Sequence, residues 1–273
     1  MALNNTTQRV LVAIAAIPII LAACYFGNLF FFFFILAIAL AAYYEFYSFA
    51  SNKNSHVNIW LGELLITALL VNEYTPLIDY QSLIIIIVVL ISLTELFRNN
   101  GSAIINIGST LLGVFYIGIF SSSIIGIREF YSESGRYYYG GYLIISIIIS
   151  IWVCDSAAFY AGTAFGKHKL FPRVSPKKSW EGAIFGFIFS IISMIIIHGI
   201  FLSFIPLTEA LIIGIIIGTI GQIGDLVESL FKRDAGVKDS SNIIPGHGGI
   251  FDRFDSLIFA SPVILLILKY YGN

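Results

Sequence analysis

The sequence predicts an all-α, polytopic integral membrane protein, and three observations support this fold class. Of its 273 residues, 58% are hydrophobic and only 11% are charged, and the mean hydropathy is +0.90, far more apolar than a soluble domain of this length. The apolar residues gather into runs of about 20 residues, the length that crosses a bilayer as a helix. Runs such as LIIIIVVLISL are apolar on every face, unlike the alternating pattern of a membrane β-strand.

Counting these apolar runs gives about nine predicted transmembrane helices. They cover residues 9–27, 28–50, 57–73, 79–97, 103–127, 141–164, 180–205, 207–231 and 248–271. The first run contains LAAC, Leu21 to Cys24, which resembles a lipoprotein cleavage box, but in a polytopic chain we interpret it as part of a retained helix. Cys24 and Cys154 lie in apolar runs far apart in sequence, so no disulfide is expected.

Lysine and arginine are distributed unequally between the predicted loops. With a cytoplasmic N-terminus, twelve of them fall on the cytoplasmic side: Arg9, Lys53, Arg98, Lys167, Lys169, Arg173, Lys177, Lys178, Lys232, Arg233, Lys238 and Arg253. Only Arg128, Arg136 and Lys269 fall on the other side. Because cytoplasmic loops retain positive charge, this bias predicts a cytoplasmic N-terminus.

Acidic residues within the predicted helices gather on the same cytoplasmic side. For Glu45, Glu63 and Glu95 we interpret this as side chains that reach the membrane interface. An ionisable residue deeper in a span is tolerated when it faces protein, water or a counter-ion. The clustering on one side is therefore the first indication of a functional site.

Two pairs of acids, Asp225 with Glu228 and Asp252 with Asp255, are spaced three residues apart. Each pair shares one face of a helix. If the two faces come together, four carboxylates meet with little solvent, which requires cations. Hard oxygen ligands of this kind suit Mg²⁺. A stripe of small residues, Gly214, Gly218 and Gly221, leads to Asp225 at helical spacing and predicts close helix packing there.

The segment FGKHKLFPRVSPKKS, residues 165–179, carries five Lys or Arg residues and one histidine. Membrane orientation and anionic headgroups explain such a loop, and so does a bound polyanion such as a nucleoside triphosphate. Asp155 and Glu181 stand on either side of it. Cations for phosphates beside acids for metal are the composition of a phosphoryl or nucleotidyl transfer site.

The segment SLFKRDAGVKDSSNIIPGHGGIFDRFDS, Ser229 to Ser256, resembles the signature of the phosphatidate cytidylyltransferases, also called CDP-diacylglycerol synthases. Twelve positions match at fixed spacing: Ser229, Lys232, Arg233, Lys238, Asp239, Pro245, His247, Gly248, Gly249, Asp252, Arg253 and Asp255. Residues 155–182 and 221–229 are also similar to the family. The resemblance covers roughly the last 120 residues, while the first half is similar only in being a set of apolar helices.

The resemblance implies that CTP and phosphatidic acid give CDP-diacylglycerol and pyrophosphate, with Mg²⁺. A second cation, monovalent or divalent, is left open. A phosphate monoester has its second pKa near about 6, so the attacking group is already ionised and needs no general base. The reaction needs charge neutralisation and an in-line geometry instead. We therefore expect residues 1–140 to form about five N-terminal spans and residues 141–273 to form the catalytic region.

The family resemblance implies roles for particular residues. Asp225 and Asp252 are expected to hold the metal, with Asp255, Glu228 and Asp155 as further ligands or as residues that orient them. Lys232 and Arg233, which the sequence places at a wet helix end, are expected to act in catalysis beside the two aspartates. Further substrate-binding residues are expected at Lys177, Lys178, Ser179, Ser229, Lys238, His247 and Arg253. For His247 a capping hydrogen bond at a turn is an equal alternative to phosphate contact.

The expected partners are CTP, phosphatidic acid and membrane lipid, with no nucleic acid. The family also implies a homodimer, and we expect a bacterial inner membrane protein whose active site faces the cytoplasm. Two other functions share parts of this pattern. A secondary transporter also carries intramembrane acids, but its site lies near the midplane of repeated halves, and no internal repeat is found here. A CTP-dependent lipid kinase would have a similar set of acids and bases.

Overall fold

The computed structural model describes residues 5–132, 135–241, 243 and 248–271, with side chains described from residue 12 onward. This part of the chain forms nine helical segments and one short β-hairpin. The helices are α1 (Asn5–Phe26), α2 (Asn28–Ser51), α3 (Ile59–Tyr74), α4 (Tyr80–Leu96), α5 (Ala103–Glu129), α6 (Tyr138–Phe165), α7 (Trp180–Ile200), α8 (Leu207–Asp234) and α9 (Phe251–Tyr271). The strands are β1 (Lys169–Phe171) and β2 (Ser175–Ser179).

Each of the nine predicted runs coincides with one of these helices. Five of the helices, α2, α5, α6, α7 and α8, are long and apolar enough to cross a membrane, since about 20 apolar residues span the hydrocarbon core. The chain is therefore a helical integral membrane protein. The total of nine crossings and the cytoplasmic N-terminus stay predictions. Cys24 and Cys154 are both free and buried, as expected.

Local sequence explains where several helices begin. The side chains of Asn58, Asp79 and Ser179 accept hydrogen bonds from the backbone N–H of the third residue of α3, α4 and α7 respectively. Such caps satisfy donors that the first turn leaves without partners. Gly27 separates α1 from α2 with a φ of +66°, a left-handed conformation that glycine adopts without steric cost.

The helices α5 and α8 each contain a π-helical turn, at Val114–Ile119 and Ile217–Gly221 respectively. In α8 this turn divides the predicted stripe of small residues, because an extra residue per turn shifts the faces that follow it. A Cβ added at Gly218 would lie 2.8 Å from the Phe187 Cα of α7, whereas one added at Gly221, the next glycine of the stripe, would lie 3.9 Å from the Ser256 Cβ of α9. The glycines of α8 therefore allow close packing against two different helices, α7 and α9.

The described chain divides into two compact units, and each contains separate stretches of sequence. The first unit consists of Met1–Pro18, Asn28–Gly126 and Phe231–Arg253. The second consists of Ile19–Gly27, Ile127–Leu230 and Phe254–Asn273. The division at residue 140 that was expected from sequence concerns where the catalytic residues lie along the chain, and it stays a prediction.

The first unit has an aromatic core, and the signature segment packs against this core near both of its ends. Phe231 packs against Phe46 and Tyr116, with ring centroids 5.8 and 5.6 Å away. Phe251 packs against the same Tyr116 at 5.9 Å and against Phe49 at 6.5 Å. Aromatic pairs at these separations are favourable. Because both ends rest on Tyr116, the residues beside them, Lys232 and Asp252, are brought together.

The second unit contains a fully buried arginine, Arg128. Its guanidinium donates hydrogen bonds to the carbonyl oxygens of Cys24 at 2.7 Å and of Tyr25 and Tyr137 at 3.1 Å. It also lies over the Tyr137 ring, 4.1 Å from the centroid. A cation that satisfies carbonyls at the end of α1 is stabilised by the helix dipole there. These contacts explain how a buried charge is tolerated.

The basic segment 165–179, which was predicted to be a loop, contains the β1–β2 hairpin. Its strands pair antiparallel, with Lys169 opposite Ser179. Glu181 fixes the hairpin to the start of α7. Its carboxylate lies 2.6 Å from the Nδ1 of His168 and accepts a hydrogen bond from the backbone N–H of the same histidine. The hairpin was missed because its sequence is short and charged, without the alternation typical of a strand.

Candidate active site

Asp252 lies in the first turn of α9, and both of its carboxylate oxygens are engaged within the first unit. Its Oδ1 accepts a hydrogen bond from the ammonium of Lys232. Its Oδ2 accepts from the Ser240 backbone N–H at 3.1 Å, from the Ser240 hydroxyl at 2.9 Å and from the Gly249 N–H at 3.4 Å. Four donors thus fix the position of a carboxylate whose side chain is only 12% exposed.

Lys232 and Arg233 are neighbours in the last turns of α8 but occupy different surroundings. The Lys232 side chain is 10% exposed and pairs with Asp252, so the expectation that it stands at a wet helix end is wrong. Arg233 is exposed, and its guanidinium donates to the Val237 carbonyl at 3.1 Å. Lys232 is therefore held in place by an ion pair, while Arg233 is accessible to a ligand.

Asp225 of α8 belongs to the second unit, and its surroundings are more open. It forms an ion pair with Lys178 at the end of β2, and the two side chains are 36% and 29% exposed. The Ser229 hydroxyl, one turn further along α8, donates to Asp225 Oδ1 at 3.4 Å. Three residues that the resemblance singled out, Asp225, Lys178 and Ser229, are thus brought together.

Asp255 of α9 is buried in the same unit. Its Oδ1 accepts a hydrogen bond from the Ser256 N–H at 2.5 Å, and the charges that act on it are those of Asp225, Asp155 and Lys178. Asp155, Asp225 and Asp255 therefore share one electrostatic environment. A fourth acid, Glu228, is fully buried.

The donor set of this environment can be compared with what Mg²⁺ requires. Carboxylate oxygens are the hard ligands that Mg²⁺ prefers, so the chemistry of Asp155, Asp225 and Asp255 fits this cation. Among the described residues, no three His, Cys, Asp or Glu side chains are placed to hold a metal ion as they stand. In the structure the charge of Asp225 is balanced by Lys178.

The remaining predicted residues differ in their exposure, and one of them lies outside the described residues. Lys177, Lys238 and Arg253 are exposed, which suits contact with a soluble anion. Ser179 is buried, and its hydroxyl caps α7 by accepting a hydrogen bond from the Gly182 N–H at 3.2 Å. His247 lies outside the described residues.

Glu45 of α2 is a site residue whose role the sequence interpretation missed. It is 1% exposed and accepts hydrogen bonds from the Ser241 hydroxyl at 2.6 Å and from the Ile250 and Phe251 N–H groups at 2.9 Å. The interpretation as an interfacial side chain is therefore wrong. The available signal was its sequence context, AAYYEFYSFA, since an acid inside an apolar helix indicates a specific partner.

The same interpretation is also wrong for Glu95 of α4. This residue is 5% exposed, and its carboxylate accepts hydrogen bonds from the Asn106 side chain at 2.6 Å and from Arg98 at 3.2 Å. Glu95 therefore joins α4 to α5 within the first unit. Glu63 of α3 is half-buried, and for it the interfacial interpretation stays a prediction.

Comparison with known proteins extends the resemblance over nearly the whole chain. A family model described as "Cytidylyltransferase family" matches residues 7–271. The chain belongs to the cytidylyltransferase family. Family membership thus includes α1 to α5, for which the sequence motifs alone gave only apolar character.

Curated relatives of similar length support the same assignment. A phosphatidate cytidylyltransferase of Staphylococcus epidermidis is 34% identical over 267 residues, covering 95% of this chain and 98% of the relative. One of Bacillus subtilis is 31% identical over 271 residues, covering 97% and 98%. One of Staphylococcus saprophyticus is 41% identical over 192 residues, covering 70% of each chain. The full-length matches include the segment of α2 that carries Glu45.

Proposed function

We propose that this protein transfers CMP from CTP to phosphatidic acid, giving CDP-diacylglycerol and pyrophosphate. The observation that carries the proposal is the arrangement of Asp252, Lys232 and Ser240, in which a signature carboxylate and a signature ammonium form one buried, hydrogen-bonded pair. Membership of the cytidylyltransferase family and relatives named phosphatidate cytidylyltransferase supply the reaction class and both substrates.

In the proposed reaction an oxygen of the lipid phosphate attacks the α-phosphorus of CTP. The bond from that phosphorus to the oxygen bridging to the β-phosphate breaks, and pyrophosphate leaves. The attacking monoester is already ionised near neutral pH, so no side chain needs to remove a proton. The task of the protein is to neutralise and align two polyanions, which fits a site of lysines, arginines and aspartates.

Mg²⁺ is the proposed cofactor, with Asp225 and Asp252 as its main ligands and Asp255, Glu228 and Asp155 as further ligands or orienting groups. A bound divalent cation supplies charge neutralisation on the phosphates. Support comes from the carboxylate chemistry of these residues and from the electrostatic environment shared by Asp155, Asp225 and Asp255. A single centre holding both Asp225 and Asp252 involves residues of both units and stays a prediction from sequence.

The cationic residues are proposed to bind the phosphates of the two substrates. Arg233, Lys177, Lys238 and Arg253 are exposed, so they can meet a soluble triphosphate or a lipid headgroup. Lys178 and Ser229, which contact Asp225, are proposed to bind substrate at that carboxylate. His247 is included on the strength of the signature alone.

We propose that the protein lies in a bacterial inner membrane with this site facing the cytoplasm. The charge bias of the loops supports that orientation. Cysteines introduced singly at Lys169 and at Ser132 should differ in intact cells: an impermeant thiol reagent should label Ser132→Cys and spare Lys169→Cys. Equal labelling of the two variants would overturn the orientation.

The proposed reaction is tested by following separate phosphates of CTP into lipid. Purified protein is incubated with phosphatidic acid and CTP labelled at either the α- or the γ-phosphate, and the lipid is then extracted. We expect label from the α position only, with incorporation lost in EDTA and restored by Mg²⁺. Label from the γ position would indicate a lipid kinase instead, and incorporation from neither position would favour a transporter.

A further inference from the structure

We propose that Glu45 is a positioning residue for the Asp252–Lys232 pair, acting through the backbone of the segment that carries Asp252. This proposal rests on the proposed function for the reaction it serves, and it adds to that function a residue from α2, outside the signature. Glu45 and Ile250 are 205 positions apart in the sequence, which offers no indication that the two meet.

The contacts of Glu45 and Asp252 alternate along the same two short stretches of backbone. Asp252 accepts from Ser240, and Glu45 accepts from the next residue, Ser241. Asp252 also accepts from the Gly249 N–H, and Glu45 accepts from the two N–H groups that follow. The two carboxylates therefore tie residues 240–241 to residues 249–251 from both sides, which fixes the start of α9.

The buried Glu45 carboxylate needs hydrogen-bond donors around it. An ionised group that is 1% exposed is destabilised unless hydrogen bonds replace its water. Two backbone N–H groups and one hydroxyl do so for Glu45, and both N–H groups belong to the start of α9. A negative charge at a helix N-terminus is also stabilised by the helix dipole. The Glu45 carboxylate thus supplies the acceptors that the N–H groups at the start of α9 need, and these N–H groups compensate its buried charge.

The fit around this carboxylate leaves no room for a side chain at Gly249. A Cβ built there would lie 2.4 Å from Glu45 Oε2 and 1.8 Å from the Ser240 hydroxyl oxygen, far closer than van der Waals contact. The neighbouring Gly248 has a φ of +85°, which glycine adopts readily. Two signature glycines thus let the backbone approach Glu45 closely enough to present its N–H groups.

Losing Glu45 should therefore disturb the reaction by moving Asp252. In Glu45→Gln the amide retains one acceptor oxygen, but its NH₂ group cannot accept from a backbone N–H. At least one N–H at the start of α9 loses its partner, and Asp252 loses part of its support. A displacement of about an ångström at a reacting group costs up to roughly 100-fold in rate.

The test uses full-length protein in detergent micelles and compares Glu45→Gln with Glu63→Gln, the same substitution at another acid of the first unit that is not part of this network. Hydrogen exchange measured by mass spectrometry should accelerate at residues 249–251 in Glu45→Gln, with the other helices unchanged, and should stay at the wild-type rate in Glu63→Gln. Ser241→Ala removes one donor to Glu45 and should accelerate the same amides to a smaller extent. If Glu45→Gln does not fold, the exchange of this milder variant is measured in its place.

CMP transfer supplies the second measurement. We expect the kcat of Glu45→Gln to fall roughly 10- to 100-fold, with less than about a threefold change for Glu63→Gln. If Glu45 acts through the Asp252–Lys232 pair, adding Glu45→Gln to Lys232→Ala should cost much less than it costs the wild-type protein, because the two residues serve one unit. A purely structural effect would lower activity by the same factor in both backgrounds.

Two outcomes would overturn the proposal: unchanged exchange at residues 249–251 in a folded Glu45→Gln protein, or an equal loss of activity in both backgrounds. A wild-type protein that transfers no CMP would instead overturn the proposed function. The exchange measurement does not depend on activity, so it would still decide whether Glu45 anchors the start of α9.

Discussion

Two aspartates of the signature region, Asp252 in the first unit and Asp225 in the second, have contrasting surroundings. The Asp252 side chain is 12% exposed and accepts hydrogen bonds from Lys232, Ser240 and Gly249. The Asp225 side chain is 36% exposed and is engaged by Lys178 and, at 3.4 Å, by the Ser229 hydroxyl. The difference indicates that Asp252 is held by the fold, while Asp225 is free to exchange its counter-ion.

The two ion pairs also differ in how much each contributes to the stability of the protein. A pair as exposed as Lys178–Asp225 contributes only about 0–1 kcal/mol, so an arriving cation or phosphate can replace either partner at small cost. A buried pair is different, since removing one partner leaves a desolvated charge and costs about 3–5 kcal/mol. We infer that Asp252 is preorganised for the reaction and that Asp225 reorganises when ligands bind.

The largest expected effect is on catalysis, where the two aspartates should behave alike. Asp225→Asn and Asp252→Asn should each lower CMP transfer by more than about 100-fold, because removing a charged or dipolar group that stabilises a transition state costs roughly 100- to 1,000-fold. Asp234→Asn is the matched control, since Asp234 forms an exposed ion pair with Lys53. Initial rates with labelled CTP and phosphatidic acid provide the measurement.

In the control variant, Asp234→Asn, we expect less than about a threefold change in rate, as an exposed pair is energetically minor. If Asp225→Asn retained wild-type activity and Asp252→Asn did not, Asp225 would have to be removed from the proposed machinery. The reverse result would remove Asp252.

The second expected effect separates the two aspartates by stability. Asp252→Asn leaves the buried ammonium of Lys232 without its counter-ion, so the free energy of unfolding should fall by about 3 kcal/mol. Asp225→Asn should change it by less than about 1 kcal/mol. Thermal unfolding in micelles of one detergent measures both. Equal destabilisation of the two variants would contradict the contrast between a fixed and an exchangeable carboxylate.

The stability prediction revises an expectation from the sequence. The sequence predicts four carboxylates close together, and in such a cluster replacing Asp225 or Asp252 would relieve repulsion and leave folding intact. That reasoning still applies to Asp225, which shares its surroundings with Asp155 and Asp255. It does not apply to Asp252, because Lys232 and three further donors already compensate its charge.

The smallest expected effect concerns Lys232 and Arg233, which the sequence treated as equivalent. Arg233 is proposed to donate a charge-assisted hydrogen bond to phosphate, and Lys232 donates one that positions Asp252. Each such bond contributes about 1.5–3 kcal/mol, so either alanine variant should lower kcat/KM for CTP roughly 10- to 100-fold. Lys232→Ala should lie at the upper end of this range and should also destabilise the protein, because it leaves Asp252 uncompensated. Arg233→Ala should leave stability unchanged. Unchanged kinetics in both variants would reassign the two residues to membrane orientation.

Much of the fold could be predicted from the sequence because membrane helices are determined locally. Every predicted apolar run became a helix, since the backbone must satisfy its own hydrogen bonds where no water is available. The β1–β2 hairpin was missed, because its pairing depends on contacts such as that between His168 and Glu181. The stripe of small residues was divided by a π-helical turn at Ile217–Gly221, which an α-helical projection does not contain.

The candidate site was predictable in its composition and less so in its contacts. The signature listed both Asp252 and Lys232, but it gave neither their direct pairing nor the burial of Lys232. Ser240 was not singled out, and Glu45 was interpreted as an interfacial side chain. Both act by hydrogen-bonding groups distant in sequence, and such partners are decided only when the chain folds.

The sequence by itself determined the membrane class, the helices, the signature and the chemistry of its side chains, because these depend on composition and on short-range spacing. The tertiary structure decided which charges are paired. It assigned Lys232 to Asp252, Lys178 to Asp225 and Glu45 to the start of α9. The physical reason is that a buried charge requires a partner, and the identity of that partner depends on which distant segments pack together.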